Sequence, residues 1–240
     1  MNTVTSDTFF NGRICIKQFE NGYRFSLDAV ILAGDIRPAV SDTLLDLGTG
    51  CGIIPIILAY RFPDIDVIGV EVQKDLADLA KQNVTCNSLN HRILIRSMDM
   101  NSVTLRHVDQ PVDIITSNPP YRRANSGRIN PEPQKAVARH ELRITLSQLV
   151  ASARRLLRTG GKFHAIYPAD RMVDLISALR ACNMEPKFLR SVHSKSGSAA
   201  KLVLVEAVKA GRPGITIKPP LIIYKKDDIY SDEMERMFHP

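Results

Sequence analysis

The chain has 240 residues, of which 44% are hydrophobic and 24% are charged, an ordinary balance for a globular protein. This length suits one large α/β domain, or one domain with a small appendage, and no apolar run reaches the ~18 residues that span a bilayer. The net charge of +7 fits a polyanionic partner, although many basic proteins have none.

Cysteine and histidine indicate neither a metal site nor a disulfide framework. The four cysteines include no Cys-x-x-Cys pair, and the six histidines form no pair at the spacing of metal ligands. Residues 1–10 lack the basic start and apolar stretch of a secretion signal. We therefore expect a cytoplasmic protein without a catalytic metal.

Residues 1–40 are predicted to form a small hairpin and a helix that pack on the main domain, residues 41–240. Alternating apolar residues flank the Asn-Gly pair at positions 21 and 22, which is a signal for a tight hairpin turn. Ser26 or Asp28 can then cap a short helix that ends before Pro38.

The next stretch predicts a strand, a glycine-rich turn and a helix. Residues 43–47 have the pattern of a short buried strand, residues 53–60 form an apolar helix, and the turn between them reads Gly48-Thr49-Gly50-Cys51-Gly52. Glycines let a backbone approach a ligand and direct its amides towards it. In a dinucleotide-binding turn the last glycine falls at the position of Ile53. The compact spacing, preceded by Asp46, instead resembles the S-adenosylmethionine turn of Rossmann-like methyltransferases.

Two further acids follow the next predicted strands. Glu71 ends the strand at residues 66–71 and lies 23 positions after Gly48 (71 − 48), close to the ~20 expected for a carboxylate that binds ribose hydroxyls. Asp99 follows the strand at residues 93–95, and a helix lies between the two strands, at residues 75–87. A lone Asp in a loop is more often a turn residue, so Asp99 gains weight only from the turn and Glu71 before it.

The stretch Asp113-Ile-Ile-Thr-Ser-Asn-Pro-Pro-Tyr121 combines a short apolar strand with a stiff polar loop. The run is too short for a helix, and its two prolines cannot donate to a sheet, so the strand ends before them. Ligands of open α/β sheets bind at such carboxyl ends. Pro-Pro alone is more often structural, but the whole motif is specific and displays Asn118 and Tyr121.

The chain then becomes basic, with six Lys or Arg against two Glu in residues 122–143. A solvated charged loop is the simpler interpretation, but the sign and the position next to Tyr121 suit phosphate contacts. The candidate RNA-binding residues are Arg122, Arg123, Arg128, Lys135, Arg139 and His140.

The remaining pattern completes an α/β, Rossmann-like fold. It predicts a helix at residues 142–157, a strand at 162–167, a helix at 170–182, strands at 188–192 and 202–208 joined by a reversing loop, and a final run at 221–224 before a helix near Asp232. We expect a seven-stranded methyltransferase sheet, mostly parallel with an antiparallel C-terminal strand, plus the N-terminal hairpin and helix.

The order Asp-x-Gly-x-Gly-x-Gly, Glu71, Asp99 and Asn-Pro-Pro-Tyr resembles the amino-methylating branch of class I S-adenosylmethionine-dependent methyltransferases. Three further stretches are similar to the bacterial tRNA-valine adenine-37 N6-methyltransferase family, and this similarity covers nearly the whole chain. They are Tyr23-Arg-Phe-Ser-Leu-Asp-Ala-Val30, Lys135-Ala-Val-Ala-Arg-His-Glu141 and Pro219-Pro-Leu-Ile-Ile-Tyr224.

The resemblance implies S-adenosylmethionine as cofactor, RNA (tRNA above all) as partner, and transfer of a methyl group to N6 of an adenine. The implied catalytic residues are Asn118, Pro119 and Tyr121. The implied cofactor-binding residues are Asp28, Asp46, Gly48, Thr49, Gly50, Gly52, Glu71, Val72, Asp99, Met100 and Asn118. The proline motif also occurs in protein-glutamine and ribosomal-guanine methyltransferases, so these activities stay open. A non-catalytic RNA-binding protein with this fold and any oligomeric state stay open as well.

Overall fold

The computed structural model describes residues 3–20, 26–119, 144–226 and 228–239. In chain order the strands are β1 (Val4–Phe9), β2 (Ile14–Phe19), β3 (Thr43–Leu47), β4 (Asp66–Glu71), β5 (Ile93–Ser97), β6 (Val112–Ser117), β7 (Leu157–Pro168), β8 (Met184–Lys195), β9 (Ala200–Lys209), β10 (Thr216–Ile217), β11 (Leu221–Lys226) and β12 (Ile229–Tyr230). The helices are α1 (Leu27–Asp35), α2 (Ile53–Arg61), α3 (Lys74–Cys86), α4 (Leu105–Val108), α5 (Leu146–Leu156), α6 (Met172–Ala181) and α7 (Asp232–Met237). Short 3₁₀ turns cover Met100–Ser102 and Ala169–Arg171.

The main sheet has the strand order β5-β4-β3-β6-β7-β9-β8-β11-β12, with β10 paired to β8. Strands β3 to β7 run parallel, whereas β9 is antiparallel to both of its neighbours, β7 and β8. This arrangement confirms the predicted methyltransferase sheet with its antiparallel strand near the C-terminus. The predicted run at residues 221–224 is part of β11, which extends the sheet beyond β8.

Helices cover both faces of the sheet and create two hydrophobic cores. The hairpin, α1, α2, α3 and α7 pack on one face, and α5 and α6 pack on the other. Along β6, Ile114 is buried in the first core and Ile115 in the second. Burial on both faces explains why the central strands are continuous apolar runs rather than alternating ones.

The N-terminal hairpin is present, and its turn lies at the first Asn-Gly pair of the chain. Strand β2 pairs antiparallel with β1, and positive φ angles of 52° at Phe10, 55° at Asn11 and 82° at Gly12 make the connection. The prediction missed this turn because β1 is polar and largely exposed. The turn predicted at positions 21 and 22, and the strand expected after it, lie outside the described residues.

Two asparagines of α3 hold the outer edge of β2. The Asn83 side chain accepts a hydrogen bond from the Lys17 N–H at 2.8 Å and donates one to the Lys17 carbonyl at 3.0 Å. Asn87 does the same with Cys15, at 3.0 and 2.7 Å. Because each amide offers the same donor and acceptor as a peptide group, two asparagines one helical turn apart replace a neighbouring strand.

Candidate active site

The carboxyl ends of four parallel strands meet at one edge of the sheet. In the pairing register, Leu47 of β3 lies beside Val70 of β4, and Glu71 lies beside Ser97 of β5. Strand β6 adds Thr116 next to Asp46. The turn after β3, the acid at the end of β4, the loop after β5 and the proline motif after β6 therefore border one site.

Three glycines give the turn after β3 its shape. Gly48, Gly50 and Gly52 have φ angles of 81°, 56° and 85°, in the left-handed region that strains other residues. Space is also tight at Gly52, where a Cβ atom would lie 3.3 Å from the Cβ of Ala80 on α3. Glycine at these positions therefore lets the turn close and pack against α3.

The amides of this turn bond within the protein, contrary to the prediction that they point towards a ligand. The N–H groups of Gly48 and Thr49 both donate to the Val70 carbonyl at 2.9 Å, and the N–H of Gly50 donates to Oε2 of Glu71, also at 2.9 Å. The prediction was wrong for these three donors, because the turn folds back onto the end of β4. The turn therefore directs these three amides into the protein, where one of them positions the carboxylate of Glu71.

Glu71 is held rigidly at the end of β4, with 5% of its surface exposed. Its Oε2 accepts from Gly50, and its Oε1 accepts from the N–H of Gln73 at 2.9 Å. A carboxylate oxygen has two lone pairs, so each oxygen can accept one more hydrogen bond. Glu71 is thus suited to bind two adjacent hydroxyl groups. The next residue, Val72, is 41% exposed and borders the same site.

Asp46 lies directly beneath the turn and is fully buried. Its Oδ1 accepts a hydrogen bond from the Thr116 hydroxyl at 2.7 Å, whereas its Oδ2 has no hydrogen-bond partner among the described residues. Burial raises the pKa of Asp46 to about 6, and the charge of Glu71 adds to this effect, while the hydroxyls of Thr116 and Thr49 oppose it. The Thr49 hydroxyl, which also has no hydrogen-bond partner among the described residues, is near enough to lower this pKa and is therefore a neighbouring donor for the carboxylate. A buried acceptor that stays unpaired is costly, so Asp46 remains a candidate for a ligand contact.

The last two residues of β6 donate hydrogen bonds to the end of β3, just before the glycine turn. Besides the contact of Thr116 with Asp46, the Ser117 hydroxyl donates to the carbonyl of Leu47 at 2.8 Å. Both side chains on β6 are fully buried. Sequence reasoning missed them, although two hydroxyl residues at the end of an apolar strand are a usable signal. The half-buried Asn118 and Pro119 follow immediately.

The loop after β5 brings Asp99 and Met100 to the site. Asp99 is exposed, and its Oδ1 accepts from the N–H of Asn101 at 2.8 Å, so it also caps the 3₁₀ turn. Met100 is half-buried, and its Cε would lie 3.8 Å from a Cβ atom at Gly48. The loop therefore reaches over the glycine turn.

Asp28 lies in the first turn of α1, which packs with α2 on one face of the sheet. Its part in cofactor binding remains a prediction. Tyr121 and the basic candidates from Arg122 to His140 lie outside the described residues.

The described ranges contain no helix that is both long and apolar enough to cross a membrane. They also contain no group of three or more His, Cys, Asp or Glu side chains arranged to hold a metal ion.

The sheet order, the closed glycine turn and the acid at the end of β4 together define a Rossmann-like methyltransferase. Comparison with known proteins narrows this class: the chain belongs to the methyltransferase small-domain family, whose model matches residues 25–181.

Similar proteins include tRNA1(Val) (adenine(37)-N6)-methyltransferases. The protein of that name from Porphyromonas gingivalis is 30% identical and covers 99% of this chain and 95% of its own length. The one from Vibrio parahaemolyticus is 28% identical, over 95% of this chain and 92% of its own. Among solved structures, one described as a predicted O-methyltransferase from Agrobacterium tumefaciens has a TM-score of 0.71 at 19% identity, covering 88% of this chain and 94% of that one. This likeness confirms the fold.

Proposed function

We propose that this methyltransferase transfers a methyl group from S-adenosylmethionine to the exocyclic N6 amine of an adenine in RNA, and that its target is adenosine 37 of tRNA(Val). The observation that carries the proposal is the position of Asn118 and Pro119 at the end of β6, beside the glycine turn. The nearly full-length relatives named for this reaction support the choice of acceptor.

The residues around the glycine turn fit S-adenosylmethionine. This cofactor supplies an electrophilic methyl group on a sulfonium. Glu71, held by two backbone N–H groups, accepts hydrogen bonds from the two ribose hydroxyls. Asp46 offers its unpaired Oδ2 to the cationic ammonium of the methionine part. Asp99 accepts from the adenine amino group, and Val72 and Met100 line the adenine.

Asn118 and Pro119 orient the acceptor amine. This nitrogen is a weak nucleophile because its lone pair is delocalised into the adenine ring. The side-chain oxygen of Asn118 and the carbonyl of Pro119 accept its two N–H bonds and favour a pyramidal nitrogen whose lone pair faces the methyl group. The N–C bond forms as the C–S bond breaks, and the methylated amine then loses one proton to water. Such positioning contributes a few kcal/mol, about 2 to 4 for each well-placed group.

Tyr121 is the aromatic residue that we propose stacks on the target base. Stacking of a base on an aromatic side chain contributes about 1–3 kcal/mol and does not depend strongly on the base. A base within a stacked loop must turn outwards to reach this position. Asn118 and Pro119 therefore select a planar N–H2 group, the choice of adenine rests on the relatives named for this reaction, and Tyr121 supplies affinity.

Methyl incorporation from labelled S-adenosylmethionine tests the proposal. An unmodified tRNA(Val) transcript should accept one methyl group, and a transcript with guanosine at position 37 should accept none. Incorporation into a protein glutamine, with none into either RNA, would contradict the proposal and favour the protein-glutamine activity.

A further inference from the structure

A basic surface lies at the amino edge of the sheet, opposite the candidate active site. There α5 and α6 end, β7 and β8 begin, and β9 ends. We call it the amino-edge basic surface, and it consists of Arg154, Arg158, Arg180, Lys187, Lys209 and Arg212.

Several contacts bring these side chains together. Lys209, at the end of β9, donates through Nζ to the carbonyl of Leu157. Leu157 directly follows α5 and lies between Arg154 and Arg158 in the chain. Lys187 donates through Nζ to the carbonyl of Arg212 at 3.2 Å. The pairing of β8 with β9 places Met184 beside Lys209, so the start of β8, which carries Lys187, lies next to the end of β9. The six residues thus lie at one edge of the sheet, near the first residues of β7 and β8 and the last residue of β9.

Acids neutralise only two of the six cations of this surface. Its neighbouring carboxylates are Asp113, which binds Arg158, and Glu185, which lies 3.4 Å from Arg180. Among the described residues no ion pair to an acid engages the other four cations, and backbone carbonyls hold Lys187 and Lys209. Acids gather instead on the other half of the same edge, where β3 and β4 begin. They are Asp42, Asp64 and Asp66.

Helix ends explain only part of this accumulation. Cations are favourable in the last turn of a helix, and Arg154 and Arg180 occupy such positions in α5 and α6. Lys187 and Arg212 lie on β8 and in the loop after β9, where no helix dipole favours them. The cations also repel each other: burial, and then the charge of Arg154, lower the pKa of Lys209. An external anion would relieve this repulsion.

We propose that the amino-edge basic surface binds the sugar-phosphate backbone of the substrate RNA, away from the nucleotide that is methylated. The proposal rests on RNA being the substrate, as proposed above. Strand β6 has six residues, so at ~3.3 Å each the two edges lie roughly 20 Å apart. The surface therefore cannot touch the target base, and it contacts the body of a folded RNA whose loop enters the active site.

Charge reversal with a matched control tests this proposal. The variant Arg154→Glu/Arg212→Glu changes two exposed arginines of the surface, and Arg13→Glu/Arg236→Glu makes the same change at exposed arginines on the hairpin turn and α7, on the other face of the sheet. Affinity is measured by filter binding for a full-length tRNA(Val) transcript and for its isolated anticodon stem-loop, over a series of salt concentrations. Calorimetry with S-adenosylmethionine checks that each variant is folded.

We expect the surface variant to bind full-length tRNA about tenfold more weakly, with a salt slope that is shallower by about 2, because each lost phosphate contact lowers the slope by about 1. Its affinity for the stem-loop, and the affinity of the control variant for both RNAs, should change less than about twofold. Equal losses in both variants, equal losses for both RNAs, or no loss at all would overturn the proposal.

The proposed function is tested separately in the same experiment. Here we measure whether the unaltered protein catalyses methyl transfer from S-adenosylmethionine to the stem-loop. If the stem-loop is methylated and the surface variant binds tRNA normally, only the surface proposal fails. If no RNA is methylated and the surface variant still loses tRNA affinity selectively, only the proposed function fails.

Discussion

Asp46 shows how a residue that favours binding can oppose folding. Its carboxylate is fully buried, one oxygen lacks a hydrogen-bond donor within the described part of the chain, and burial raises its pKa to about 6. An acid whose pKa is raised on folding costs nothing below its unfolded value of 3.8 and its full amount above about 6. The protein without cofactor therefore carries this cost at neutral pH, and under the proposed function the cationic ammonium of the cofactor offsets it.

Replacing Asp46 with Asn should stabilise the apo protein and weaken cofactor binding. A shift from 3.8 to about 6 corresponds to roughly 3 kcal/mol, so we expect the free energy of unfolding to rise by about 1–3 kcal/mol at pH 8 and to change little at pH 4. The affinity for S-adenosylmethionine should fall at least about tenfold at pH 8. Denaturant unfolding at both pH values and calorimetry measure these changes. Unchanged affinity would contradict the assigned role of Asp46.

Replacing Asn118 with Ala should separate methyl transfer from cofactor binding. The substitution removes one acceptor for the amine, so we expect transfer to RNA to fall by about 10² or more, while calorimetry shows cofactor affinity within about twofold of the original. Pro119, which offers only its backbone carbonyl, remains in place and provides residual orientation. Full turnover in this variant would remove Asn118 from the mechanism.

For single residues, the sequence predicted where a side chain lies in the fold better than it predicted which hydrogen bonds that side chain makes. Spacing alone placed Glu71 at the end of β4, next to the glycine turn. It did not predict that Glu71 accepts the N–H of Gly50, because a glycine pattern does not determine where amides point. Thr116 and Ser117 were missed because an apolar strand pattern does not show which side chain its polar end residues will bind, although the pair of hydroxyls was itself a usable signal.

Helix α3 joins two elements that sequence reasoning treated separately. Asn83 binds Lys17 of the hairpin and also donates to the carbonyl of Cys51, in the glycine turn, at 2.9 Å. Asn87 binds only the hairpin and its own helix. The hairpin is therefore coupled to the cofactor turn through one side chain.

This difference provides a matched pair of variants. Asn83→Ala and Asn87→Ala each leave a backbone N–H and carbonyl of β2 without a partner, so both should speed hydrogen exchange at the β2 amides and destabilise the protein by about 1–3 kcal/mol. Only Asn83→Ala should also weaken cofactor binding, by about three- to tenfold in calorimetry. Equal effects of the two variants on cofactor affinity would contradict the coupling.

At the element scale, buried strands were predictable and exposed ones were not. Strand β3 has the predicted bounds, Thr43–Leu47, because burial on both faces leaves a plain apolar run. Strand β1, VTSDTF, is partly exposed along its whole length and has no such signal. The hairpin was consequently predicted at the second Asn-Gly pair, although the described turn uses the first.

At the scale of the whole molecule, two groups of basic residues are candidates for RNA contacts. The amino-edge basic surface is one, and the sequence of residues 122–143, next to the proline motif, is the other. The net charge of +7 only fitted a polyanionic partner, and the amino-edge basic surface appears only when α5, α6, β7, β8 and β9 come together in the fold.

A separate prediction concerns residues 122–143, the basic stretch next to the proline motif. Replacing Arg122, Arg123 and Arg128 with Gln should weaken RNA binding and reduce its salt dependence, because phosphate contacts release counterions. Cofactor affinity should not change. Affinity measured across a series of salt concentrations tests this, and binding of the unaltered protein that is insensitive to salt would contradict a role for these residues in phosphate contacts.

The most direct test of the central claim is mass mapping of modified nucleosides in tRNA from a strain that lacks this protein. We predict that N6-methyladenosine disappears from position 37 of tRNA(Val) and returns when the intact gene is supplied, but not when the gene encodes Asn118→Ala. An unchanged modification at position 37, together with the loss of a methyl group from a protein glutamine or a ribosomal guanine, would contradict the account.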